Sequence, residues 1–203
     1  MELKRVVVTG LGAVTPVGNT PEETWKNLLE GKSGAAPITH FDTTLFKTKF
    51  ACEVKDLNLN DYIDRKEARK MDRYCQLAMV SAAQGIKDAG LDLEKEDLNR
   101  IGVVYGVGIG GIKTFQDEVV YYGQHEDQGP KFNPFFIPKM IADIASGQIS
   151  IQYGFHGPNY TTTSACASSS NALADAFNLI RLCKANMIVS GGAEAAICET
   201  GVG

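Results

Sequence analysis

The sequence lacks any apolar stretch near the roughly 20 residues that a membrane-spanning helix needs. Close to its start, the charges of Glu2, Lys4 and Arg5 precede only a three-valine run, Val6–Val8, too short for a signal peptide or a span. The chain therefore reads as cytoplasmic, with no membrane partner. Basic charge is not in excess either: 20 Lys and Arg stand against 24 Asp and Glu, a net charge of −4. That balance argues against a nucleic-acid partner. The five cysteines, Cys52, Cys75, Cys166, Cys183 and Cys198, are odd in number and form no CxxC pair. They fit reduced thiols rather than a disulfide framework or a zinc site, and no metal is expected. Repeats, low-complexity blocks and Pro/Gly/Ser-rich linkers are missing too, so residues 1–203 read as one folding unit. What remains is an ordinary globular composition, 44% hydrophobic and 22% charged, able to bury a core.

Strand and helix patterns alternate. Val6–Val8 predicts a strand buried on both faces of a parallel sheet. Thr20-Pro-Glu-Glu23 supplies a capping hydroxyl, a first-turn proline and a capping-box glutamate for a helix stopping at Gly31. A strand is expected near Lys49–Val54, then a helix over Asp64–Ala89. There Met71, Cys75, Ala78, Ala82, Ile86 and Ala89 form one apolar stripe. Strands are predicted at Ile101–Tyr105, Tyr160–Thr163 and Met187–Ser190. Helices are predicted from Ile112 to Tyr122, Pro138 to Tyr153 and Ser168 to Ala185, the last with Leu173, Phe177 and Ile180 on one face. The alternation implies an α/β fold with a mostly parallel sheet and helices on both faces, since parallel neighbours need crossovers. Active sites in such folds gather at the carboxyl ends of the strands.

The segment Tyr160-Thr-Thr-Thr-Ser-Ala-Cys166-Ala-Ser-Ser-Ser170 carries the strongest chemical signal. A β-branched strand passes through a small-residue turn into a helix, with Cys166 at the bend. The opening N–H groups and positive dipole end of that helix favour a thiolate, the nucleophilic form of cysteine. The backbone N–H of Cys166 is also available to the oxyanion formed when an acyl thioester is attacked. Set against this, an arbitrary intracellular cysteine is more often a small buried hydrophobe. The other four cysteines are assigned to packing.

Gly106, Gly108 and Gly111 fit GxGxxG between a strand and a helix, the context of a dinucleotide-binding oxidoreductase. The carboxylate that should follow about twenty residues on has no strand before it: Glu126 and Asp127 lie in a polar loop. Two other readings of this turn are a close backbone approach, or a loop presenting Ile109 to an acyl tail. His40, His125 and His156 fall in loops, and His156 pairs with Cys166 only if its loop folds back. Phe135 and Phe136, in a proline-bounded loop, suit either the core or a partner interface, with core slightly favoured.

Taken together, Val6-Val-Val-Thr-Gly-Leu-Gly12, Thr15-Pro-Val-Gly18, Arg65-Lys66, Met71-Asp72, Gly108-Ile-Gly-Gly111, Pro134-Phe-Phe, Ser164-Ala-Cys166-Ala-Ser168 and Ser190-Gly-Gly-Ala-Glu194 resemble a β-ketoacyl-acyl-carrier-protein synthase of the elongating type II kind. The resemblance covers essentially the whole chain and implies a thiolase-like fold of two similar α/β halves, of which this sequence is similar to the first. It implies that Cys166 takes an acyl chain from acyl carrier protein. A carbanion from decarboxylated malonyl carrier protein then attacks that acyl group, giving a 3-oxoacyl product. No cofactor is implied. Ile109 corresponds to the residue gating the acyl tunnel, and the Phe135–Phe136 loop to one that reaches the neighbouring subunit in a homodimer, which moves that loop from core to interface. Ser164 stands where a threonine is commoner, a change expected to be harmless. The family's two catalytic histidines, its lysine and its glycine-rich oxyanion loop belong to the second half, so this chain alone is not expected to complete condensation. A non-catalytic piece that dimerises or docks the carrier protein is the alternative within the same fold.

Overall fold

The computed structural model describes residues 3–203. In chain order the elements are α1 (Pro21–Leu29), β1 (Ala36–Pro37), β2 (Phe50–Ala51), α2 (Arg65–Ala68), α3 (Arg73–Asp88), β3 (Ile101–Gly106), α4 (Ile112–Gln124), α5 (Phe136–Met140), α6 (Ile144–Tyr153), β4 (Asn159–Thr162), α7 (Ser168–Arg181), β5 (Met187–Gly192) and α8 (Glu199–Val202). β1 and β2 make a small antiparallel pair. The three longer strands form one parallel sheet in the order β4–β3–β5, with Val103 opposite Asn159 on one side and Val189 on the other.

Every residue of the central strand β3 is buried. Its alternation divides the molecule into three layers. Ile101, Val103 and Tyr105 join the main core with Tyr74, Cys75, Ala78 and Met79 of α3 and Ala145 and Ile149 of α6. Val104 points to the opposite face, against which α7 lays Ala172 and Ala176. Helices on both faces of a parallel sheet agree with the expected architecture.

Local signals held where the chemistry is short-range. The Thr20 hydroxyl accepts the Glu23 N–H at 3.2 Å to open α1, the Glu23 carboxylate accepts the Asn19 N–H at 2.7 Å, and Gly31 turns the chain at φ 68°. Four expectations need correction. Val6–Val8 is not a strand: the segment joins no ladder, Val8 is 79% exposed, and its surroundings tie it down by Lys4 N–H to the Arg181 carbonyl and Leu11 N–H to Asp88. A β-rich triplet forms a strand only beside a partner ladder, and none adjoins it among the described residues.

The helix expected over Asp64–Ala89 is two helices. Asp72 interrupts it by accepting the Tyr74 N–H at 3.2 Å as the cap of α3, while its other oxygen takes the Thr114 hydroxyl at 2.6 Å and so ties α3 to the start of α4. The helix expected over Pro138–Tyr153 likewise divides into α5 and α6, because Ile141 turns to extended backbone at ψ 137°. Finally, the helix expected over Ser168–Ala185 ends at Arg181, with Cys183 turning the chain at φ 60°, and the face it buries carries Ala172 and Ala176. Leu173 and Phe177 stay exposed, and Arg181 lies over the Phe177 ring.

Candidate active site

The carboxyl ends of β3, β4 and β5 converge on the turn that carries Cys166. Chain leaving β4 at Thr162 passes through a single 3-10 turn, Ala165–Ala167, directly into α7. Ala165 holds a left-handed conformation at φ 49°, which an alanine adopts only when surrounding bonds over-determine it. Those bonds come mainly from Ser168. Its buried hydroxyl oxygen accepts the Ser164 N–H at 2.9 Å and donates to the Ala165 carbonyl at 2.7 Å, while its carbonyl accepts the Thr162 hydroxyl at 2.8 Å. Asn171 adds a bond to the Ser164 hydroxyl at 2.6 Å, so Ser164 is engaged through both main chain and side chain. The turn is thus fixed on either side of Cys166, and Cys166 itself is exposed.

Close packing beneath the turn depends on glycine. At Gly106, the last residue of β3, a Cβ would overlap the backbone of Ser168 and Ser169, so only a bare α-carbon lets α7 begin on top of the sheet. The loop N–H groups that would bind a pyrophosphate are already taken here, since those of Gly108 and Ile109 donate to the Glu194 carboxylate at 3.0 and 2.8 Å. After α4 the chain enters a loop with the short turn Glu126–Gln128, not a strand ending in a carboxylate. GxGxxG is therefore a packing device in this chain, and the oxidoreductase reading loses its site.

Ile109 rides on the same loop, 57% exposed, with the elbow on one side and α5 on the other. Gly108 lies beside the Ala165 carbonyl, and the Gly111 N–H donates to the Met140 carbonyl at 3.0 Å. Phe135 and Phe136 belong to the far side of this loop. Phe136 stacks between Phe115 and Phe132 at centroid distances of 6.3 and 5.5 Å, whereas Phe135 is exposed with the Lys70 ammonium 5.9 Å from its ring centroid. The two aromatics therefore divide between a local cluster and a surface. Two hollows, about 520 Å³ between α4 and α8 and about 250 Å³ beside residues 15–19, are lined by neither Cys166 nor Ile109.

The remaining cysteines do not behave alike. Cys75 and Cys198 are fully buried, and burial pushes the Cys75 thiol up to about 12. Cys183 is half-buried at φ 60°, and Cys52 is exposed, which corrects its assignment to packing. Among the described residues no histidine hydrogen-bonds to the elbow. His156 donates its backbone N–H to the Leu98 carbonyl before β4 begins, whereas Cys166 follows its end, roughly 13 Å of strand away. His40 faces the Ile197 carbonyl at 3.3 Å, and His125 stacks on Tyr121. Among the described residues no three His, Cys, Asp or Glu cluster as metal ligands, and no helix is long and apolar enough to cross a membrane.

Sequence reasoning gave no role to two residues that stand in its own motifs, Ser168, which organises the turn, and Glu194, which holds the loop beside it. Ser168 had a readable signal, the Ser-x-x-x-Ser spacing across Cys166 that returns one hydroxyl to the other end of a single turn. Glu194 had none, because its partners, the N–H groups of Gly108 and Ile109 at 3.0 and 2.8 Å, are main chain and 85 or more residues away. Basic charge is also locally concentrated on α2 and its exit, at Arg65, Lys66, Arg69 and Lys70, although the whole chain is acidic.

Residues 3–203 match the family model described as beta-ketoacyl synthase, N-terminal domain. The 3-oxoacyl-[acyl-carrier-protein] synthase 2 of Synechocystis sp. is 46% identical over 198 residues, 97% of this chain and 47% of that protein. The enzyme of the same name from Staphylococcus aureus is 44% identical over 200 residues, 98% of this chain and 48% of that one. Among solved structures, the ishigamide ketosynthase/chain length factor superposes with TM-score 0.85 at 28% identity, over 98% of this chain and 49% of that chain. A type II PKS acyl-carrier protein in complex with its ketosynthase bound to the hexaketide matches with TM-score 0.83 at 24% identity over 98% and 54%, a likeness of fold. The chain spans about half the length of the curated relatives it matches.

Proposed function

The chain belongs to the β-ketoacyl synthase family, as its N-terminal domain, and from that premise we propose that it is the nucleophile-bearing half of a condensing enzyme of fatty-acid synthesis. The observation that carries this reading is an exposed Cys166 on a turn locked over the carboxyl ends of three parallel strands, immediately ahead of α7. The Cys166 thiolate attacks the carbonyl of an acyl thioester presented by acyl carrier protein, the partner in the relatives' names. A tetrahedral oxyanion forms and is held by the backbone N–H of Cys166. As it collapses the new carbon–sulfur bond is kept and the carrier's thiolate leaves, taking up a proton.

In the second stage the malonyl group loses carbon dioxide, and the electron pair of the broken carbon–carbon bond becomes a carbanion. It attacks the acyl carbonyl on Cys166. The product is a 3-oxoacyl carrier protein, and the Cys166 thiolate is released. Ile109, exposed beside the elbow, lines the entry of the acyl tail, and the exposed Phe135 belongs to a surface for a second subunit. The basic group on α2 suits a negatively charged carrier surface.

Residues that stabilise the enolate belong to a second half. Two observations support that arrangement: the chain spans about half of its relatives, and Val7, Val8, Leu173 and Phe177 expose apolar surface that an independent domain would cover. The test is intact-mass analysis of this chain, with and without a complementary half, after incubation with an acyl carrier thioester. One adduct, mapped to Cys166 and abolished by Cys166→Ala, is the expected result. An adduct on Cys75 or Cys183, or chain elongation retained by Cys166→Ala, would overturn the assignment. If adding the complementary half restored no condensation, the non-catalytic docking piece would be the better description.

A further inference from the structure

We propose that Glu194 is a positioning residue that sets where Ile109 stands, and through it which acyl lengths reach Cys166. The inference rests on the reading of Cys166 and Ile109 given above. The loop that carries Ile109 has little else to hold it. Gly108, Gly110 and Gly111 surround the isoleucine and offer no side chains, and Gly110 itself sits at φ 82°. Main-chain anchors must therefore do what packing does elsewhere. At the entry the Val107 N–H donates to the Thr162 carbonyl at 3.1 Å, and at the exit the Gly111 N–H donates to the Met140 carbonyl at 3.0 Å.

Between these anchors, among the described residues, the loop's N–H groups bond to one oxygen only. Glu194 Oε2 accepts the Gly108 N–H at 3.0 Å and the Ile109 N–H at 2.8 Å. Two successive amides aimed at a single carboxylate oxygen fix the orientation of the peptide plane between them, and so the direction in which the Ile109 side chain leaves the backbone. Bonds from N–H groups to an ionised acceptor are among the stronger ones a protein makes.

Gly108 lies between this carboxylate and the elbow. A Cβ built on Gly108 would stand 2.7 Å from Glu194 Oε2 and 3.6 Å from the Ala165 carbonyl oxygen, so Gly108 is sandwiched between Glu194 and the residue before Cys166. Glu194 follows β5 by two residues, and β5 pairs along its length with β3. The carboxylate thus refers the Ile109 loop to the rigid sheet. Its role differs from that of a group acting on the reacting carbonyl, since it works only through the loop it holds.

The experiment uses this chain joined to its complementary half. Single-turnover acylation of Cys166 is measured with carrier-bound acyl groups from four to sixteen carbons, for the unsubstituted protein, Glu194→Ala and Glu194→Gln. Loss of the acceptor in Glu194→Ala should shift the ratio of long-chain to short-chain acylation rates by about tenfold, the scale of one charge-assisted hydrogen bond. Glu194→Gln, which keeps a carbonyl acceptor, should restore most of that ratio. Amide hydrogen exchange at Gly108 and Ile109 should quicken in the alanine variant and recover in the glutamine variant. A length profile that keeps its shape in Glu194→Ala, or a loss spread equally over all lengths, would overturn the positioning role while leaving Cys166 as the nucleophile. Absence of acylation in the unsubstituted protein would overturn the proposed function, and this inference with it.

Discussion

Gly106 and Ser168 meet backbone to backbone, so that the last residue of the central strand and the first residue of α7 leave no room between them for a methyl group. The contact places a strand end and a helix start in direct register, and the nucleophile sits in the turn that this register forces. Gly106→Ala must push α7 off the sheet or bend β3. The expected cost is about 2 kcal/mol, which for a chain of this size lowers the Tm by roughly 5 °C. Thermal unfolding with and without the substitution measures it, and an unchanged Tm would show that the helix start yields freely.

Ser168 is the other fixed point of the turn. Ser168 is itself only 4% exposed, and replacing it with alanine leaves the Ser164 N–H and the Ala165 carbonyl, both on exposed residues, without their protein partner. Losing a hydrogen bond costs about 1 kcal/mol. Ser168→Ala should therefore release Ala165 from its left-handed conformation and change the alkylation rate of Cys166 several-fold, while that of the distant Cys52 stays the same. Ser168→Thr keeps the hydroxyl and should restore the rate. Equal change at Cys166 and Cys52 would point to general loosening instead.

Much of this site could be read from the chain because its signals are local. The strand-turn-helix of residues 160–181, the capping of α1 and the all-apolar β3 depend on neighbours within a few positions, and each stands where the residue pattern put it, within a few residues at its ends. Long-range partners were not readable. Val6–Val8 has the composition of a strand but finds no ladder, Asp72 breaks a continuous apolar stripe because Thr114 from another helix holds it, and Glu194 meets two amides that carry no side-chain signature. In α7 the pattern of large residues pointed one way, while the close approach to β3 selected alanine for the buried face.

Thiol reactivity separates the five cysteines. Exposed Cys166 and Cys52 should be alkylated first by iodoacetamide, half-buried Cys183 more slowly, and fully buried Cys75 and Cys198 only when the fold opens. An acyl thioester imposes a stricter selection, because it needs a positioned nucleophile and not merely an accessible one. Acylation should mark Cys166 and spare Cys52. Peptide mapping after each reagent checks both patterns, and equal acylation of the two exposed thiols would remove the special standing of the elbow.

Alkaline pH should weaken the fold through Cys75. Its thiol lies in the core between α3 and the sheet, where burial first and the nearby Asp72 carboxylate second raise it from 9.0 to about 12. In the unfolded chain the same thiol ionises at its ordinary value. A group raised on folding contributes its stability in full below about pH 9, and that contribution is lost as the pH climbs towards about 12. Tyr74 and Tyr105, also raised by burial, act in the same direction from their ordinary 10.0. Denaturant midpoints should stay level between about pH 6 and pH 8 and fall above about pH 9, with the Cys75 part reaching about 1.4 kcal/mol by about pH 10. Cys75→Ala lowers stability at every pH by leaving a small cavity, yet its midpoint should decline less steeply between about pH 9 and pH 10. Parallel declines in the two proteins would assign the alkaline loss to the tyrosines alone.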